Sequence, residues 1–122
     1  MGEEGFRGLN VWQKAKDLAV FIYKTTNTGY FSRDFGLRDQ IRRSAISIAS
    51  NIAEGDERDT NKDSVRFLYI AKGSLGELLT QIIISKEIGY LQDEQFDYVF
   101  KECEMIGKML GKLIKARSLK NL

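Results

Sequence analysis

Three sets of side chains in this 122-residue chain could do chemistry: helix carboxylates, one thiol, and clustered arginines and lysines. Histidine is absent. Its absence removes imidazole acid–base catalysis, histidine-activated nucleophiles and histidine-ligated metals together. Glu54 and Glu77 could work as an acid–base pair if two helices faced them. Helix carboxylates are far more often structural, and a di-metal carboxylate bundle needs Glu-x-x-His pairs that this chain lacks. The thiol, Cys103, falls on an apolar helix seam, where a small buried hydrophobe is expected rather than a nucleophile. Ser74 to Glu77 (SLGE) lies inside a helical pattern, and Gly107 to Lys112 (GKMLGK) lacks Walker spacing and a preceding strand. No catalytic residue, metal or cofactor is expected, so the chain reads as a non-enzyme.

The cations are the more promising set. One concentration is Arg38, Arg42 and Arg43 with, past a turn, Arg58, Lys62 and Arg66. The other is Lys108, Lys112, Lys115, Arg117 and Lys120, with no acid after Glu104. Net charge is only +2, so distribution matters more than the total. A solvated helix surface is the ordinary reading of such residues. Nucleic-acid binding is the sharper one, because phosphate contacts need clustered cations rather than a high overall charge. Arg38, Arg42, Arg43, Lys108, Lys112 and Lys115 are the candidates, and binding through them is expected to be salt-sensitive and weakly sequence-specific. The alternative is a scaffold or adaptor that docks a protein partner without touching nucleic acid.

A polar stripe is a further feature. In the stretch Leu37 to Gly55, Leu37, Ile41, Ala45, Ile48 and Ile52 make an apolar helix face at spacings of 4, 4, 3 and 4. Gln40, Ser44, Ser47, Asn51 and Glu54 line up beside it. Polar side chains next to a core face need partners when buried, from another helix or another subunit. Ser74, Glu77 and Gln81, on a later helix, are the expected ones. Gln40, Ser47, Asn51, Glu54, Ser74, Glu77 and Gln81 are therefore assigned to a polar network that serves assembly into a homo-oligomer.

The elements that must position these residues are all helical. Helix 1 is expected from about Val11 to Thr26, with Asn10 and Gln13 as a capping box. Helix 2 covers about Phe35 to Glu54 and stops at Gly55. Thr60 with Asp63 caps helix 3, which runs to about Ile88 and stops at Gly89. In its middle, Gly73 and Gly76 would be tolerated best where another backbone approaches. Helix 4 runs from Asp93 to about Arg117 on a seam of Phe96, Val99, Cys103, Ile106, Leu110 and Leu113. No strand pattern is visible. Short connections favour antiparallel neighbours, giving an all-α, up-down-up-down four-helix bundle over residues 10–118, with tails at 1–9 and 119–122.

Composition fits a folded domain: 43% hydrophobic, 30% charged, no proline. A single cysteine fits a reducing cytoplasm. No stretch nears the roughly 20 apolar residues that span a bilayer. The start, MGEEGFRGLN, resembles neither a signal peptide nor a myristoylation signal. A cytoplasmic protein with no membrane partner is expected.

Several motifs together resemble a known family. They are L-x-V-W-Q-K-A at Leu9 to Ala15, L-x-x-Q-I-R-R-S-A-x-S-I-x-S-N-I-A-E-G at Leu37 to Gly55, R-F-L-x-I-A-x-G-S-x-x-E-L at Arg66 to Leu78, and I-G-Y-L at Ile88 to Leu91. The chain resembles the four-helix-bundle proteins encoded in intervening sequences of bacterial 23S ribosomal RNA genes, from about Leu9 to Leu113. The accessory variability determinant of diversity-generating retroelements is similar in fold. This resemblance implies an up-down bundle assembling as a homopentamer around a central channel, with no enzymatic activity attached. The retroelement relative implies nucleic-acid binding through a basic pentamer, although the present chain is only mildly basic. The family's signature positions map onto Gln40, Arg42, Ser47, Asn51, Glu54, Gly55, Ser74 and Glu77. In a ring of identical subunits, each modest basic patch is multiplied.

Overall fold

With no proline to interrupt the apolar periodicities, four long helices form: α1 (Asn10–Thr25), α2 (Phe35–Asp56), α3 (Asn61–Glu87) and α4 (Asp93–Leu119). They belong to a computed structural model that describes residues 5–119. Short 3-10 turns at Gly5–Gly8 and Gly29–Ser32 are the remaining regular elements, and no strand occurs among the described residues. Each helix packs on the next, and α1 also packs on α4. The ends of the expected tails, residues 1–4 and 120–122 with Lys120, lie outside the described residues.

The core follows the sequence spacing closely. Val11, Ala15, Leu18 and Ile22 of α1 meet Ile41, Ala45, Ile48 and Ile52 of α2, with Leu68, Ala71, Leu75, Leu78 and Ile82 of α3 completing the same cluster. On α4 the buried line is Val99, Cys103, Ile106, Leu110 and Ile114. Here Ile114 replaces the expected Leu113, which is only partly buried. A 3.5-residue seam drifts on a 3.6-residue helix, and after four turns the core side has moved by one residue. α3 is the most apolar helix, with a mean hydropathy of 1.3 over its 18-residue window, and is long and apolar enough to cross a membrane. It nevertheless buries Ser64, Gln81 and Ser85 on its core face.

Two helix ends differ from expectation. Asn10 is the first helical residue rather than the cap; Leu9 holds the cap position without a side-chain hydrogen bond. Gln13 Nε2 donates to the Arg7 carbonyl at 2.7 Å instead of closing a capping box. Helix α2 does not stop at Gly55 but continues through it to Asp56. Gly55 is there for close approach: a Cβ would lie 3.0 Å from the Ser64 carbonyl oxygen and 3.4 Å from Leu68. The α3 end matches expectation. Gly89 has φ +84°, and the N–H groups of Gly89 and Tyr90 donate to Lys86 O at 3.1 Å and Ser85 O at 2.9 Å, a Schellman closure. Thr60 caps α3, accepting from Asp63 N at 3.1 Å.

Among the described residues, no neighbouring helix approaches Gly73 or Gly76, since a Cβ at either would meet nothing outside its own stretch of helix within 4 Å. The glycines of α2 and α3 should therefore respond oppositely. Gly76→Ala is expected to stabilise the isolated chain by up to about 1 kcal/mol. Gly55→Val is expected to destabilise it by about 1–3 kcal/mol through overpacking against backbone. Urea denaturation of both variants checks the pair.

Candidate nucleic-acid interface

The polar stripe lies at the joint between α2 and α3. Ser47 Oγ and Ser74 Oγ are 2.8 Å apart, and Asn51 Nδ2 donates to the Ser47 hydroxyl at 3.0 Å and to its carbonyl at 2.8 Å. One turn away, the buried Ser44 hydroxyl shares its single proton between Gln81 Oε1 and the Gln40 carbonyl. These bonds close within one chain and satisfy groups that the apolar joint would otherwise leave costly. The outer members do not join the line. Glu54 accepts from Arg58 at 2.7 Å. Glu77 lines a shallow cleft of about 380 Å³ with Asp39, Gln40, Arg43 and Gln81. The Ser47–Ser74 and Ser44–Gln81 contacts place Glu77 opposite Ser44 to Ser47, roughly 10–15 Å along α2 from Glu54, so the two glutamates form no acid–base pair.

The thiol is closed off as well. Cys103 is 0% exposed, and burial, with a smaller contribution from Glu102, pushes its thiol up to about 12. At neutral pH it stays protonated and without nucleophilic character. No group of three potential metal ligands occurs among the described residues.

The six candidate cations fall into two separate patches. Arg38, Arg42 and Arg43 sit near the start of α2. Of these, Arg42 is committed to structure: its guanidinium lies 4.6 Å from the Tyr23 ring centroid and donates to Thr26 Oγ1 at 2.9 Å and Tyr23 O at 3.4 Å. In this way it caps the end of α1. Arg38 pairs with Asp39 at 3.1 Å and lies 4.7 Å over the Phe35 ring. Arg43 is exposed and pairs with no carboxylate among the described residues. Lys108, Lys112 and Lys115 are exposed on one face of α4, likewise without a carboxylate partner among the described residues. Arg58, Lys62 and Arg66 do not belong with Arg38. They line a surface cleft of about 630 Å³ at the α2–α3 turn. Within it, Asp63 neutralises Arg66 at 2.9 Å and approaches Arg58 at 3.7 Å.

One cluster was not foreseen from sequence. Asp56, whose side chain is 1% exposed, accepts from Arg117 Nη2 at 2.7 Å, while Arg117 Nη1 donates to Ser64 Oγ at 2.6 Å. Asp56 Oδ2 has no partner among the described residues. The available signal was register: Arg117 follows Leu110 and Ile114 at seam spacing, so a charge there must turn inward. At the opposite end, the Tyr90 hydroxyl donates to Asp34 Oδ2 at 2.9 Å. That hydrogen bond is the chief reason the phenol titrates above its ordinary range. The second Asp34 oxygen caps α2 by accepting from Leu37 N at 3.2 Å.

Comparison with known proteins gives a consistent answer. No curated protein matches the chain. A protein of unknown function from the S23 ribosomal protein family of Bacteroides thetaiotaomicron has a similar crystal structure, with a TM-score of 0.79 at 28% identity. That match covers 86% of this chain and 98% of the other. Residues 7–112 match the 23S rRNA-intervening sequence proteins, and the chain belongs to that family.

Proposed function

We propose that this protein is a non-enzymatic, cytoplasmic homo-oligomer, built as a ring of five four-helix bundles, that binds RNA or another nucleic acid through basic patches repeated around the ring. The observation that carries it is the set Lys108, Lys112 and Lys115, standing exposed on one face of α4 with no ion pair to a carboxylate among the described residues. Arg43 adds a fourth uncommitted cation on α2. A few free cations per chain bind phosphate weakly, and repetition raises avidity. An antiparallel up-down course is supported by the pairings at the two ends, Tyr90 with Asp34 and Arg117 with Asp56. Self-association is supported by apolar side chains that one chain leaves outside: Tyr69 is 55% exposed, Ile84 48% and Ile88 51%.

Filter binding of a labelled RNA at several salt concentrations tests the reading. The affinity is expected to fall steeply with salt. Replacing Lys108, Lys112 and Lys115 together by glutamine is expected to flatten the log–log slope by at least about 2, the share of one subunit's patch, and by more where the RNA spans several subunits. No retention at low salt, or retention with no salt slope, removes the proposal. An apolar groove of about 590 Å³ between α1 and α2, lined by Trp12, Val20, Tyr23 and Ile46 among others, favours a protein-docking scaffold as the second reading. A protein partner recovered after nuclease treatment, with no RNA retained, would support that reading instead.

A further inference from the structure

The two most exposed large aromatic side chains are close in sequence, at the end of the bundle where α2 begins. Tyr30 is 66% exposed and Phe35 is 62% exposed. Tyr30 lies in the 3-10 turn Gly29–Ser32 that joins α1 to α2, and Phe35 is the first residue of α2. Each ring is braced from one side. Tyr30 stacks on Tyr90 at 5.9 Å between centroids, with 17° between the ring planes. Phe35 carries the Arg38 guanidinium at 4.7 Å. Fixing a ring in place while leaving surface open is the requirement for a stacking platform, because little ordering entropy remains to be lost on binding.

The charge around these rings is one-sided. Lys24, Arg33, Arg38, Arg42 and Arg43 stand against Asp34 and Asp39 on the α1–α2 side. Asp39 is paired with Arg38, and Asp34 keeps its charge while holding the Tyr90 hydroxyl and the Leu37 N–H, so the cations still outnumber the carboxylates. Lys24, Arg33 and Arg43 are exposed and make no ion pair among the described residues. The α3–α4 side is closed to an anion, since Lys86 is taken by Asp93 at 2.7 Å and Glu87 and Glu94 add negative charge. A second copy presenting this end would bring like charge to like charge. The fitting partner is a polyanion with flat, unpaired π faces.

We propose that this end binds single-stranded nucleic acid, with unpaired bases stacked on Tyr30 and Phe35 and the phosphates running past Lys24, Arg33 and Arg43. The inference rests on the nucleic-acid reading above and narrows it. A duplex keeps its base faces inside the stack and cannot use the rings, so the site selects unpaired strand.

Fluorescence anisotropy of the full-length protein with a labelled oligo-uridine of about 12 nucleotides, and with a duplex of equal length, tests the assignment. Tyr30→Ala and Phe35→Ala should each weaken single-strand binding about 5-fold or more. Duplex binding and the salt slope should not change, because no phosphate contact is lost. Phe35→Trp should keep the affinity, and its indole emission should be quenched by the strand. Alanine variants that bind the single strand like the parent, with the salt slope intact, overturn the stacking platform and leave the phosphate reading standing. A parent protein that binds neither nucleic acid overturns both. A fall in oligomeric mass in the alanine variants, without a specific loss of single-strand binding, overturns it in favour of rings packed against another copy.

Discussion

Replacing Arg117 by methionine is expected to cost the fold about 3 kcal/mol or more, near the lower end of what breaking a buried ion pair costs. Asp56 is the reason. Its side chain is 1% exposed, one oxygen depends on Arg117, and the other has no partner among the described residues. Methionine retains the packing of the stem but leaves a carboxylate buried without its counter-charge, and takes the donor from Ser64 as well. The loss stays near the lower end because Arg117 sits in the last turn of α4. Fraying there lets water reach the carboxylate. Thermal denaturation should show the midpoint falling by roughly 10 °C or more. Adding Asp56→Asn to Arg117→Met should recover much of the loss, since the uncompensated charge is then gone. Equal midpoints for Arg117→Met and the parent would show that the pair contributes nothing.

Phe31→Ala is expected to destabilise by about 3–5 kcal/mol, the range for emptying a buried aromatic site. Phe31 is 1% exposed although it lies in the 3-10 turn between α1 and α2. Its ring meets Tyr90 edge-on at 5.2 Å and closes this end of the core. Phe31→Leu, which keeps most of the apolar volume, should lose considerably less. Urea unfolding followed by circular dichroism distinguishes the two. A Phe31→Ala loss below about 1 kcal/mol would contradict a plugging role.

Both residues show where sequence reasoning stops. The apolar lines of α1, α2 and α3 were legible because a helix repeats every 3.6 residues and its core face must repeat with it. Cap chemistry was legible where the side chain acts locally, as at Thr60, and failed at Asn10, where the chain enters the helix one residue earlier. Gly55 carries the same letter as a helix stop, yet only the nearness of the Ser64 carbonyl shows that it marks a close approach. Phe31 falls in a turn, where no periodicity says which side chain points inward. The pairing of Asp56 with Arg117 depends on helices far apart in sequence, whereas the polar stripe was partly legible: Ser47 and Ser44 meet the expected Ser74 and Gln81 of α3, and Glu54 turns to Arg58 instead. Among the candidate cations, the Lys108, Lys112 and Lys115 face was legible, but Arg58, Lys62 and Arg66 were wrongly joined to Arg38, and no commitment of any cation was visible. Arg42 is spent on capping α1, whereas Lys108, Lys112 and Lys115 remain available.

The central claim is that several copies of this bundle act as one body, so that cations too few to bind alone bind together. Light-scattering mass of the full-length chain, measured across a range of concentrations, tests it most directly. A mass near 70 kDa, about five times the 13.9 kDa chain, is the expected result. A particle that remains at 13.9 kDa at the highest concentration contradicts it.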